Sequence, residues 1–341
     1  MPITAIPGAI RERFLQVGIQ TVLNTPVTPT RRVPWRGIPT YNPNITDPDV
    51  DVGSLDPILL PYAMGVEADM NATGPLDFAN AAIRLSAALK GGVSGVTASG
   101  VTTWTYQVAS LTQDSFDVYT VQQADDTEAT DAITAYGGII DVFEETLPED
   151  GGPWTISDQW IFSGANLGQN ATDGITIDAS PEWVFGTDTA VYMDAVVGSI
   201  GITPMDGLHS AVIRISNNID RKRFHNGSNT RFQLAGYSRG PRQIELILTV
   251  AKTAAWVAER ATFDDTPRVN RYFKVSTTST EIVSGSTPYR YDRLGAFRLF
   301  EVEDGDTNNN ATITLTYRGY YDSTLGYAYR SVLVNNLATL P

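Results

Sequence analysis

Between Ala311 and Tyr317 the chain alternates without interruption: Ala311, Ile313, Leu315 and Tyr317 are apolar, and Thr312, Thr314 and Thr316 lie between them. A strand sends successive side chains to opposite faces, so this pattern predicts a half-buried strand with one core face and one wet face. The apolar run Gly295 to Val302 precedes it, and the Asp/Gly/Asn-rich stretch Glu303 to Asn310 lies between the two. Run, turn chemistry and alternation together predict a β-hairpin. The same reading gives further strands at 101–109, 115–122, 136–145, 153–162, 191–202, 210–217, 243–251, 270–278 and 329–335. In the fourth of these, Trp154, Ile156 and Trp160 alternate with Thr155, Ser157 and Gln159.

Helical spacing is confined to two places. Phe78, Ala82, Leu85 and Leu89 predict a helix over 75–90, with Pro75 in its first turn, Asp77 against the positive end of the dipole and Gly91-Gly92 as a stop. A shorter helix is expected over 253–262, around Ala254, Ala255, Val257, Ala258 and Ala261. Residues 8–20 fit a short helix and a lead into a strand equally well. From Pro26 to Pro61 there are eight prolines, which exclude a helix or a central strand. Val33, Trp35, Ile38, Tyr41 and Ile45 are interspersed among them, so this stretch reads as an arm that packs on something rather than as a disordered linker.

The two halves echo one another. Tyr136-Gly137-Gly138-Ile139 with Thr155-Ile156-Ser157 parallels Leu294-Gly295-Ala296-Phe297 with Thr312-Ile313-Thr314, each pair bridged by an acidic stretch. With 341 residues, the length prior favours two units, divided as 1–61 (N-terminal segment and arm), 62–190 and 191–341.

Composition removes several chemistries. There is no cysteine, so disulfides, thiolate catalysis and cysteine-held metals are excluded. No leader with a basic and then an apolar segment is visible, and the longest uncharged stretch, Gly91 to Gln113, is too polar to span a bilayer, so a non-secreted protein with no membrane partner is expected. The net charge of −14 is uneven: residues 1–190 hold 7 Lys+Arg against 24 Asp+Glu, whereas residues 191–341 hold 17 against 14. A protein that grips nucleic acid needs a basic track to displace counterions, and the first part carries the opposite sign. Such a surface either serves solubility or lets DNA pass without sticking.

No reactive constellation emerges. His209 and His225 both lie among turn residues with no metal-ligand spacing, and neither a P-loop nor Gly-x-Ser-x-Gly occurs. The acidic clusters Asp47-Pro48-Asp49-Val50-Asp51 and Asp304-Gly305-Asp306 lack the calcium-loop spacing. Glu144 and Glu145, as strand neighbours, point to opposite faces and cannot form a hydrolytic pair. The expectation is a protein that is not an enzyme, with no catalytic residue, metal or cofactor.

Several segments carry a family resemblance. Gly18-Ile19-Gln20 followed by Asn24-Thr25-Pro26-Val27-Thr28-Pro29-Thr30-Arg31-Arg32-Val33-Pro34 resembles the opening of siphophage tail tube proteins, also called major tail proteins. Tyr136 to Asp141 with Gly152 to Ser157, and Thr312 to Tyr317 through Tyr320-Tyr321-Asp322 to Asn336, are similar to a hairpin and the C-terminal end of one such group. The resemblance implies a mainly β (α+β) fold of two β-sandwich or barrel domains, each with a flanking helix, plus the extended proline-rich arm. It implies stacked rings forming a hollow virion tail tube, assembled in the host cytoplasm around a tape-measure protein and joined to tail terminator and baseplate or distal tail proteins. DNA would pass through the lumen without specific binding. Many relatives have about half this length and form hexameric rings, so two fused units would let three chains make a pseudo-hexameric ring. On this reading Trp35, Ile38 and Tyr41 are candidate arm contacts between rings, and Asp141, Glu144, Glu145 and Asp158 are candidate acidic lumen residues. The rival is a β-sandwich virion decoration protein or a carbohydrate-binding or fibre module, for which Trp104, Trp154, Trp160 and Trp183 could line a sugar site.

Overall fold

The alternating pattern is realised as a mainly β architecture in a computed structural model, which describes residues 13–43, 45–46, 62–63, 67–107, 115–125, 130–178, 180–222, 236–307 and 310–341. In chain order the strands are β1 (Arg13–Gln20), β2 (Arg31–Val33), β3 (Ile45–Thr46), β4 (Tyr62–Ala63), β5 (Ala68–Pro75), β6 (Val96–Ala98), β7 (Val101–Gln107), β8 (Val118–Asp125), β9 (Ala132–Leu147) and β10 (Thr155–Phe162). They continue as β11 (Gly164–Gln169), β12 (Thr189–Asp194), β13 (Leu208–Ser216), β14 (Ile219–Lys222), β15 (Gly236–Arg239), β16 (Gln243–Ala251), β17 (Asn270–Ser284), β18 (Thr287–Thr307), β19 (Asn310–Gly319) and β20 (Tyr329–Asn335). Two helices, α1 (Ala81–Ala88) and α2 (Ala254–Ala261), complete the set. Sixteen strands join one antiparallel sheet whose main path is β2-β1-β8-β9-β13-β16-β19-β18-β20-β7-β6. From this path β5 and β10 branch at β9, β11 also pairs β9, and β12 and β17 branch at β18. The boundary expected near residue 190 is crossed by backbone pairing, β9 with β13 and β7 with β20, and one hydrophobic cluster draws on both halves.

Two long strands organise the sheet. The first part of β9, up to Gly138, pairs β8 and β11; from Ile139 onward it pairs β10 and β13. In the same way β18 pairs β20 through Gly295 and then β19 from Phe297. Each strand changes partners at the glycine of the motif shared by the two halves. Gly137 adopts φ +69°, and a Cβ there would lie 2.0 Å from Ser163 Oγ. At Gly295 a Cβ would meet the Phe297 ring at 2.5 Å and the Ala328 carbonyl at 2.8 Å. A side chain is excluded at both bends, which explains why the repeat was visible as a glycine pattern.

The helices depart from expectation. The flanking position fits α2, of which only Trp256 and Glu259 are buried, but all eight residues of α1 are buried. The 75–90 prediction also began too early: Pro75 ends β5, where Ala68, Met70 and Ala72 face the core and Asp69, Asn71 and Thr73 face out. Those core residues are small or flexible, so the strand signal was weak and Pro75 read as a helix start. Asp77 shapes the turn instead, accepting hydrogen bonds from the Asn80 backbone N–H at 2.7 Å and from its Nδ2 at 2.9 Å. Further on, the predicted 303–310 loop is largely strand, since β18 runs to Thr307 and β19 starts at Asn310.

A fully enclosed helix must find polar partners for its ends and for every polar side chain. Tyr106 on β7 donates to the Ala82 carbonyl at 3.0 Å, and Asn217 donates through Nδ2 to Ala88 at 2.9 Å. Asn335 on β20 donates to the Phe78 carbonyl at 2.8 Å, and Ser86 Oγ lies 2.6 Å from the Tyr119 hydroxyl on β8. The charged residue of the helix, Arg84, is 0% exposed. Its guanidinium forks onto Asp158 of β10, with Nε to Oδ2 at 2.6 Å and NH2 to Oδ1 at 2.8 Å, and reaches Glu145 of β9 at 2.8 Å. Glu145 in turn accepts from Arg293 of β18 at 2.7 Å and from the Tyr291 hydroxyl at 3.2 Å. Arg293 is stacked against Trp154, 4.2 Å from the ring centroid. Two cations and two carboxylates therefore cancel inside the core. Burial works against the Arg84 charge, but Asp158 and Glu145 outweigh it and hold the guanidinium above the ordinary arginine range.

Breaking one side of such a network leaves an uncompensated buried charge, whereas removing a matched pair does not. Arg84→Met should therefore destabilise the protein by about 3–5 kcal/mol in urea unfolding, and the R84M/D158L double variant should recover most of that loss, because Glu145 keeps Arg293. A double variant no more stable than R84M would show that the network is not charge-balanced as described.

Candidate assembly surface

A sheet of this size has edges, and the chain treats them differently. The outer edge of β5 is covered by the first part of the proline-rich arm. Arg36 and Thr73 exchange backbone hydrogen bonds at 2.7 and 2.8 Å, Thr40 donates to Asp69 at 2.8 Å, and Asn42 to Glu67 at 2.9 Å. The outer edge of β12 is covered by residues 203–205, with Met193 donating to Thr203 at 3.0 Å and Met205 to Val191 at 2.8 Å. That cover is held by Asp194, which accepts from the backbone N–H groups of Gly201 (2.8 Å), Ile202 (3.3 Å) and Thr203 (3.1 Å). Desolvation opposes the Asp194 charge, but these donors and the Thr203 side chain win, and its carboxyl lies below the usual range. The three N–H bonds also explain why the strand predicted over 191–202 stops at Asp194.

The edge at β6 is left open among the described residues. Its three residues are all exposed, Val96 at 73%, and it pairs only with β7 through a tight turn in which Ser99 and Gly100 have positive φ. An uncovered edge strand is a template for pairing with another chain.

The broad outer face of β9, β13, β16, β19 and β18 is crossed by a row of charges. Glu144 pairs with Arg214 at 2.7 Å, Glu245 stands opposite Arg214 in register, and Arg318 meets Glu245 at 3.3 Å. Arg318 also lies 3.3 Å above the exposed Phe300 ring, and Arg298, opposite Arg318, donates to Asn270 at 2.8 Å. The row is flanked by Thr249, Thr314 and Thr316, so this face is polar and close to neutral.

The residues singled out from sequence divide sharply. Trp35 is 4% exposed and packs 6.3 Å from Trp160 within its own chain, so it is not an exposed arm contact. Ile38 and Tyr41 are 49% and 40% exposed and remain on the surface. Glu145 and Asp158 are 0% exposed and are bound into the Arg84 network, so neither lines an open surface. Asp158 shares the inward register of Ile156 and Trp160, and that register is the signal that placed it inside. Glu144 lies on the outer face, and half-buried Asp141 accepts the Ile219 N–H at 2.8 Å. Trp104, Trp154 and Trp160 are core residues at 2%, 0% and 1% exposure, which removes three of the four aromatics proposed for a sugar site. Half-buried His209 sits 2.9 Å from Glu149, and Asp304 is held by Lys252 and Arg260; His225 and the Asp47–Asp51 cluster lie outside the described residues.

Sequence reasoning missed one feature of this surface. A groove of about 720 Å3 opens where β1, the arm, β5 and β8 meet, lined by Arg13, Phe14, Trp35, Arg36, Thr73 and Gln123 among others. Arg32 stacks over Phe14 at 3.9 Å beside it, and the buried Trp35 Nε1 has no hydrogen-bond partner. Two of the seven cations in residues 1–190, Arg13 and Arg36, line this groove, and Arg32 lies beside it. The net charge of the half concealed that clustering.

Two measurements check these assignments. Trp35→Ala should cost about 3–5 kcal/mol by chemical denaturation, whereas Ile38→Ala and Tyr41→Ala should stay within about 0.5 kcal/mol. Asp194→Asn should lower stability by about 1–3 kcal/mol at neutral pH. Because the folded carboxyl is depressed, that contribution is complete above the unfolded value of about 4 and is lost as pH falls through the lower folded value, so the two proteins should converge in acid. A difference independent of pH would argue that Asp194 is not the ionised acceptor.

Searched as a sequence, the chain matches no protein-family model and no curated protein.

Proposed function

We propose that this chain is the subunit of the tail tube of a long-tailed bacteriophage, polymerising as stacked rings into the conduit through which DNA leaves the virion. The observation that carries this reading is a single sheet of sixteen antiparallel strands whose edges at β5 and β12 are covered from within while, among the described residues, the edges at β6, β2 and β11 have no second partner. A subunit whose sheet is to be continued by a neighbour needs such an edge. A contact between unlike surfaces that does not close generates a filament. The family resemblance of the N-terminal, central and C-terminal segments points the same way.

Two details fit that role. The row of paired charges on the outer sheet face is flanked by threonines and offers no continuous basic track, which suits a wall past which phosphate must slide. Two long bent strands, one in each half, would let three chains supply six similar units to a ring, with the tape-measure protein inside during assembly and the terminator and distal tail proteins at the ends. Glu144 and Asp141 remain candidates for an acidic lining. The carbohydrate-binding alternative is weakened by the burial of Trp104, Trp154 and Trp160.

Purified protein viewed by negative-stain microscopy over a concentration series should show rings and hollow tubes. Monodisperse single chains at the highest concentration, together with their absence from virion tails, would refute the reading.

A further inference from the structure

We infer that the basic groove between β1 and β5 receives the acidic β18–β19 hairpin of a second copy of this chain, an inference that rests on the reading above that copies assemble head to tail. The groove offers exposed Arg13 and Arg36, neither of which has a side-chain partner among the described residues. The hairpin offers the opposite: Glu301, Glu303 and Asp306 are exposed and have no ion pair among the described residues, while Asp304 is already held by Lys252 and Arg260. Both are satisfied if they meet.

Among the described residues no ion pair joins the two within one chain, since the one hairpin acid that is paired, Asp304, is held by Lys252 and Arg260. The groove lies between the β8 and β5 branches of the sheet, where Gln123 pairs Ile133 of β9 and Asn71 pairs Gln159 of β10. The hairpin projects beyond the sheet past the pairing of Val250 and Ala251 with Ile313 and Thr312. A patch and its complement at different places on the same chain make a heterologous contact, which repeats without closing.

The absence of native cysteine makes the contact directly testable. Single-cysteine variants Arg36→Cys and Asp306→Cys, mixed under mild oxidation, should give a disulfide-linked heterodimer, and the R36C/D306C chain should give a ladder of multimers. The charge-reversed R13E/R36E protein should assemble about tenfold more weakly by light scattering, with recovery on mixing with E303R/D306R, and the native contact should weaken as salt is raised. Rings or tubes in the microscope without any R36C–D306C heterodimer would overturn this contact while leaving the tube reading standing. Single chains throughout would overturn both. An intrachain disulfide in a monomeric R36C/D306C chain, or in an I3C/R36C chain, would assign the groove to the chain's own segment and equally overturn the inference.

Discussion

Everything in this fold turns on a positive charge placed where no water reaches it. Arg84 lies on a helix enclosed by the sheet, and the carboxylates that neutralise it come from two different strands, β9 and β10. One of them, Glu145, is shared with Arg293 from the second half of the chain. Breaking a pair inside such a network is expensive, so groups from both halves are needed to keep the charges around α1 balanced. That constraint makes the crossing of the expected domain boundary intelligible. The network fixes register as well, because a slip of one residue on β9 would exchange buried Glu145 for Glu144, which serves the outer face.

With the interior committed in this way, the surface carries what remains variable. The chain spends part of its arm on its own β5 edge, burying Trp35, and a loop held by Asp194 on its β12 edge. Among the described residues the edges at β6, β2 and β11 have no second strand, and the groove and the acidic hairpin stay exposed. The proposed assembly would use these features between molecules. The structure thus divides into a charge-balanced core and a set of strand edges without a second partner among the described residues.

Strands with strict alternation were legible in the sequence because their chemistry is one-dimensional: Gln243–Ala251 and Tyr329–Asn335 match the expected bounds, and α2 lies within its expected range. The glycine echo between the halves was also visible, and it marks the two bends. Strand β5 was not, since its inward residues Ala68, Met70 and Ala72 are small or flexible and signal burial weakly. Burial of α1 was hinted at by a lone arginine in a run of apolar and small residues, but which carboxylates would meet it depends on contacts between residues 61 and 74 positions apart. Asp158 could have been placed inside from its register with Ile156 and Trp160. The groove was illegible, because its cations Arg13 and Arg36 come together only when the arm, whose prolines masked the pairing, lies along β5.

Hydrogen–deuterium exchange on dilute and concentrated protein tests the central claim, that the chain closes its own core and arm while keeping β6 for a neighbour. The account predicts slow exchange for 81–88 and for the Arg36, Thr40 and Asn42 amides at both concentrations, with protection at 96–98 appearing only on assembly. Unchanged exchange at 96–98 in assembled material, or arm amides protected only in the concentrated sample, would contradict it.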